Sequence, residues 1–143
     1  MITIAEKKKG LAWIYIISVI FGLGLIIVPI FLIQVDYDPK AFLYIVMGII
    51  VLILGIYMLY GIASTPNKVI TYNPLTGILF INQKKKILIT NVEHISYKKA
   101  RSKSIEYKWG TVIINKTITC KFVKNCEEVA NNIMKLKNEF KEF

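Results

Sequence analysis

Two long runs of the chain carry apolar residues on every side. Residues 10–35 (GLAWIYIISVIFGLGLIIVPIFLIQV) and 41–67 (AFLYIVMGIIVLILGIYMLYGIASTPN) contain no charged residue. An amphipathic surface helix would show a polar stripe; these runs show none. Each exceeds the roughly 20 apolar residues that cross a bilayer as a helix. The pattern predicts transmembrane helices at 11–33 and 41–63. The intervening Gln34-Val35-Asp36-Tyr37-Asp38-Pro39-Lys40 is short and polar, so the two helices form a hairpin. Trp13, Tyr37, Tyr44 and Tyr60 lie near the ends of the runs, where interfacial aromatics belong. The first run is too long for a cleavable signal, and no small-residue cleavage site follows it.

After residue 64 the pattern changes to alternation with period two, the signature of strands with one buried face. Strands are predicted at Lys68–Asn73, Ile78–Asn82 and Ile87–Thr90, with a fourth from Ile95 through Lys98. Asn73-Pro74-Leu75-Thr76-Gly77 reads as a turn. Lys84-Lys85-Lys86 reads as a basic tip, and Lys99–Ser104 as a basic loop. Ile105, Tyr107 and Trp109 alternate with Glu106 and Lys108. That strand continues to Ile114 past a possible bulge at Gly110. Asn115-Lys116 is a tight hairpin, followed by a strand alternating Ile118, Cys120 and Phe122 with Thr119 and Lys121. The period then becomes helical. Val129, Ile133, Leu136, Phe140 and Phe143 fall on one helix face, and Asn125 with Glu128 is close to a capping box.

Charge adds a topology. The chain is 55% hydrophobic yet carries a formal net charge of +10. Residues 1–10 hold three Lys and one Glu, the turn holds two Asp and one Lys, and residues 64–143 hold the remaining cationic excess. Basic flanks stay inside, so both termini are expected on the cytoplasmic side of a cell membrane and the Asp-bearing turn outside. No ionisable residue lies within either run, which argues against an ion pathway or proton relay. Gly48 and Gly55 share a helix face. They read either as a close contact between helices or as the ordinary glycine of membrane spans.

Candidate chemistry is sparse. His94 is the only histidine, and no metal-ligand or nucleophile motif is present. Cys120 and Cys126 read as a redox pair or, more simply, as two reduced cytoplasmic thiols. No enzyme, metal or cofactor is expected. The candidate partner-facing residues are Lys84, Lys85, Lys86, Lys98, Lys99, Arg101 and Lys103, suited to the anionic inner leaflet. The alternatives are a specific headgroup pocket and solvated turns. Aromatic residues are not interleaved with these lysines, so nucleic acid is not expected. Asp36 and Asp38 could meet a cationic peptide outside, or simply form the turn.

Three stretches carry a resemblance. They are Ile89-Thr-Asn-Val-Glu-His-Ile-Ser96, Trp109-Gly-Thr-Val-Ile-Ile114 and Phe122-Val-Lys-Asn-Cys-Glu-Glu-Val-Ala-Asn-Asn-Ile133. In apolar spacing and turns they resemble the bacterial pleckstrin-homology-like (PH-like) family over roughly residues 66–137. That family carries more glycine around positions 100–110 than this chain does. The resemblance implies an α+β membrane protein. A basic cytoplasmic N-terminus (1–10) and a transmembrane hairpin (11–63) would precede a cytoplasmic PH-like domain (64–143). That domain would be an antiparallel barrel or curled sheet capped by the C-terminal amphipathic helix. The architecture also resembles immunity proteins that Gram-positive producers make against their own leaderless bacteriocins. A cationic bacteriocin peptide is then the implied partner. The alternative is a membrane scaffold or adaptor whose domain binds anionic lipid or a protein.

Overall fold

The computed structural model describes residues 1–34 and 38–141. The chain forms two compact units, one made of Lys9–Ser64 and the other of Met1–Lys8 together with Thr65–Phe143.

The first unit is a pair of helices, α1 (Leu11–Ile33) and α2 (Pro39–Ser64). Both are long and apolar enough to cross a membrane, by length and composition. Most of their large side chains are exposed, as a lipid solvent allows. The buried positions of α2 are Ala41, Gly48, Gly55 and Ile62, seven residues apart each time. That spacing makes one straight seam along the helix. On α1 the buried residues are Leu11, Gly22 and Pro29. Small residues let the backbones approach: a Cβ on Gly48 would stand 2.9 Å from the Gly22 carbonyl oxygen and 2.8 Å from Ile26 Cγ1. Of the two readings of Gly48 and Gly55, the structure has the close contact, within the hairpin.

The second unit begins with a strand where the sequence predicts only a basic flank. β1 (Ile2–Glu6) pairs antiparallel with β2 (Lys68–Asn73), so the two apolar helices interrupt this unit between its first and second strands. The linkers are four residues, Lys7–Gly10, and three residues, Thr65–Asn67. Ala5 is fully buried opposite Ile70, and Ile4 packs against the core. β3 (Ile78–Ile81) and β4 (Lys85–Leu88) complete a four-stranded antiparallel sheet in the order β1-β2-β3-β4. β5 (Ile95–Ser102), β6 (Ile105–Ile114) and β7 (Ile118–Val123) form a three-stranded antiparallel sheet in that order. A bridge between Lys7 and Val123 links the two sheets at β1 and β7. β4 and β5 remain the outer strands of their sheets, so no barrel closes.

Turn chemistry accounts for the strand limits. Asn82 and Gln83 take left-handed φ values of 51° and 59°, so the β3–β4 loop is only Asn82–Lys84 and the next strand starts at Lys85. The expected strand at Ile87–Thr90 therefore lies earlier, and Ile89–Asn91 forms a short 3-10 turn instead. The expected loop at Lys99–Ser104 is mostly strand, because Lys103, with φ 54°, and Ser104 suffice to reverse the chain. Asn115 and Lys116 form the expected tight turn at φ 52° and 60°. The Asn115 side chain also clamps the loop before β5. Its Oδ1 accepts the Glu93 and His94 amides at 2.7 and 3.1 Å, and its Nδ2 donates to the Asn91 carbonyl at 2.8 Å.

Helix α3 (Cys126–Lys141) closes the core with its predicted face. Val129 and Ile133 are buried, while Leu136 and Phe140 pack partly buried against the core; Phe143 lies outside the described residues. Asn125 takes a left-handed φ of 51°, whereas an N-cap residue is extended, so the expected capping box does not form. Gly77, at φ 65°, lies so near Phe140 that a Cβ there would meet the ring at 2.7 Å.

Candidate functional site

The basic residues singled out in the sequence divide between the two sheets. Lys84 lies in the β3–β4 loop and Lys85 and Lys86 on β4, all exposed. Lys86 Nζ stands 5.5 Å from the Phe80 ring centre, a cation–π distance. Lys98, Lys99 and Arg101 lie on β5, and Lys103 in the turn to β6.

The β5 group is not uniformly free. Lys99 Nζ lies 2.8 Å from Glu127 Oε2 and 3.5 Å from Glu106 Oε1. Arg101 donates from Nη2 and Nε to Glu106 Oε2 at 2.9 and 3.2 Å. β5, β6 and the first turn of α3 thus meet in one charge network. The hydrogen bond from Lys99 holds the Glu127 carboxyl below its usual range, and the same bond raises the Lys99 ammonium above its own. Lys84, Lys85, Lys86, Lys98 and Lys103 have no ion pair among the described residues. The basic surface is therefore five lysines rather than seven cations.

Sequence reasoning missed the acids that neutralise the other two. Glu127 is one of two acidic residues in the first turn of α3, where the helix dipole favours a carboxylate. Its partnership with Lys99 is a long-range contact with no local signal. Beside the network, a shallow depression of about 750 Å³ is lined by Lys98, Ala100, Arg101, Glu106, Trp109 and Thr111, among others. It lies where the β5–β6 pairing slips: Lys99 faces Gly110 and Arg101 faces Glu106, so Ala100 stands against three residues of β6.

Asp38 is already engaged. Its carboxylate accepts the Lys40 amide at 2.9 Å and its carbonyl accepts the Ala41 amide at 3.0 Å, with Pro39 as first helical residue. This is an N-cap with proline at the position where a missing N–H costs nothing. Asp36 lies outside the described residues.

The thiols are both buried. Burial pushes Cys120 up to about 11. Burial also raises Cys126, outweighing backbone hydrogen bonds at the start of α3 and the nearby Lys99, which act the other way. Cys126 donates its S–H to the Lys108 carbonyl at 3.5 Å. Among the described residues no group of three His, Cys, Asp or Glu side chains is placed to hold a metal ion. The site offers charge and hydrogen bonds to a ligand. Comparison with protein-family models, curated proteins and solved structures gives no match.

Proposed function

We propose that this is a two-span cell-membrane protein with a cytoplasmic PH-like domain, and that it protects a producing bacterium from a membrane-active leaderless bacteriocin. The carrying observation is the covalent plan: an apolar helix pair, with no charged residue between Leu11 and Ile33 or between Ala41 and Ser64, is inserted between the first two strands of the soluble unit. Antiparallel strands followed by a C-terminal helix on the core support the PH-like reading. The unpaired lysines suit the cytoplasmic face, where the leaflet is anionic. Spans without charged residues favour occupation or shielding of the bilayer over transport. The test is expression in a sensitive strain challenged with a panel of leaderless bacteriocins. A several-fold rise in inhibitory concentration for at least one peptide is expected; unchanged values across the panel overturn the reading.

A second reading is a membrane scaffold whose soluble unit binds anionic lipid or a protein. The exposed, unpaired Lys84–Lys86 run favours it. In nanodiscs it predicts slower amide exchange over β3–β4 with anionic than with neutral lipid. Replacing the three lysines by alanine removes that difference.

A further inference from the structure

The β5–β6 hairpin outruns the strand beside it. β7 pairs with β6 only along Gly110–Ile114, so beyond Gly110 the arm lacks that neighbour and is held by β5 at Ile105 and Glu106 and by the Cys126–Lys108 hydrogen bond from the start of α3. Strand alternation sorts this arm into two faces. Glu106 and Lys108 share parity with Gly110, Val112 and Ile114, which are buried in the core. The register keeps Glu106, opposite Arg101, in step with Gly110, opposite Lys99, so Ile105 lies on the face turned away from the core, and Tyr107 and Trp109 stand in the slip between them. Ile105 is 59% and Tyr107 40% exposed and Trp109 is half-buried, while Val112 and Ile114 are fully buried. The Tyr107 and Trp109 ring centres lie 6.3 Å apart. Two exposed apolar or aromatic residues beside a half-buried tryptophan, on a strand that outruns its neighbour, are costly in water and mark a contact surface. With Lys99 and Arg101 paired to Glu127 and Glu106, the same arm keeps Lys98, Lys103 and Lys108 as its cationic excess.

We infer that this arm is a wedge for the interface of an anionic lipid leaflet. Ile105 and Tyr107 enter the headgroup boundary, and Lys98 and Lys103 meet the headgroup charges. Tyrosine and tryptophan suit that depth, with an apolar ring and one polar end. The excess of cations disfavours a cationic peptide, and equally a second copy presenting the same arm. Against an acidic soluble protein, the argument is effective concentration. Linkers of four and three residues tie the unit to the two apolar helices, keeping a leaflet always at hand. The inference rests on the reading above that α1 and α2 span a bilayer.

The test uses the full chain in nanodiscs with an environment-sensitive label at Ile105→Cys; Cys120 and Cys126 are buried and stay unlabelled. With phosphatidylglycerol present, the label's emission shifts to the blue and doxyl lipids quench it. Quenching falls several-fold in phosphatidylcholine alone, in high salt, or with Tyr107→Ser. A label at Lys116→Cys, in the turn at the opposite end of β6, stays aqueous. A label at Ile20→Cys in α1 is quenched in either lipid. Quenching at position 20 without quenching at position 105 overturns the wedge and leaves the spanning helices in place. No quenching at position 20 overturns both. Shielding at position 105 that depends on protein concentration in lipid-free detergent points to self-association and overturns the wedge.

Discussion

Lys7 faces Val123 in an antiparallel bridge that joins the end of β1 to β7. On either side of it the Lys8 amide donates to the Phe122 carbonyl at 2.8 Å and the Lys124 amide to the Glu6 carbonyl at 2.9 Å. The N-terminal segment is therefore the hinge between the two sheets, although the apolar helices separate it from the rest of its unit. The first prediction follows from that placement. Ala5 is 1% exposed, so Ala5→Asp buries a carboxylate without a partner and destabilises the strand-containing unit by about 3 kcal/mol or more. Ile2 is 54% exposed, and Ile2→Asp changes stability by less than about 0.5 kcal/mol. Urea-dependent proteolysis of the region from Thr65 onward measures both. Equal resistance of the two variants would show that β1 adds nothing to the fold.

The helix pair supports a contrast between two glycines. A Cβ on Gly48 would collide with the Gly22 carbonyl and Ile26, whereas a Cβ on Gly24 meets nothing within 4 Å. Gly48→Val pushes the helices apart and costs about 1–3 kcal/mol, the range for overpacking a close contact. Gly24→Val leaves the pair intact. Thermal unfolding in detergent, read by energy transfer between labels on the two helices, separates the cases. Matched behaviour of the two variants would remove the seam argument.

Much of this architecture was legible because its signals are local. The apolar runs gave α1 to the residue and α2 to within two at either end, and alternation found β2, β3 and β7 together with the face of α3. The misses have a common physical origin. β1 is five residues long and its partner lies beyond both helices, so no local pattern announces it. Ile105, Tyr107 and Trp109 were visible as an alternation, but the face they occupy depends on pairing register, and a shift of one residue exchanges the faces. The basic cluster was visible as a run of cations. That Lys99 and Arg101 are consumed by Glu106 and Glu127 depends on contacts between β5, β6 and α3.

The cysteines give a chemical prediction. Both thiols are buried and both are shifted up by burial, so the nucleophilic thiolate is scarce at neutral pH. Native protein at pH 8 should take up less than about one tenth as much maleimide as unfolded protein over the same interval. Two labels should appear only on full unfolding. Rapid labelling of Cys126 in the folded state would restore a reactive role for the start of α3.

The charge network makes the last prediction, a dependence on pH at both ends of the scale. Glu127 is depressed in the folded state, chiefly by the Lys99 hydrogen bond and then by the Lys99 charge, with Tyr97 adding to it. Its contribution to stability is therefore present above the ordinary carboxylate range and disappears as pH falls through the depressed folded value. Lys99 is raised, first by its hydrogen bond to Glu127; burial opposes this next, and the charges of Glu127 and Glu106 then add to the rise. Its contribution is complete below the ordinary lysine value and is lost as pH climbs through the raised folded value. Across neutral pH the tie between β5 and α3 is intact. Both side chains reach solvent, at 27% and 49% exposed, so salt weakens the tie and its share of total stability is small. The sensitive readout is the titration itself. In carbon-13 spectra the Glu127 carboxyl should titrate below the usual glutamate range in the native protein and return to it in Lys99→Met. The Lys99 ammonium should in turn titrate lower in Glu127→Gln. A Glu127 midpoint unmoved by Lys99→Met would mean that the α3 N-terminus, rather than Lys99, holds the carboxylate ionised.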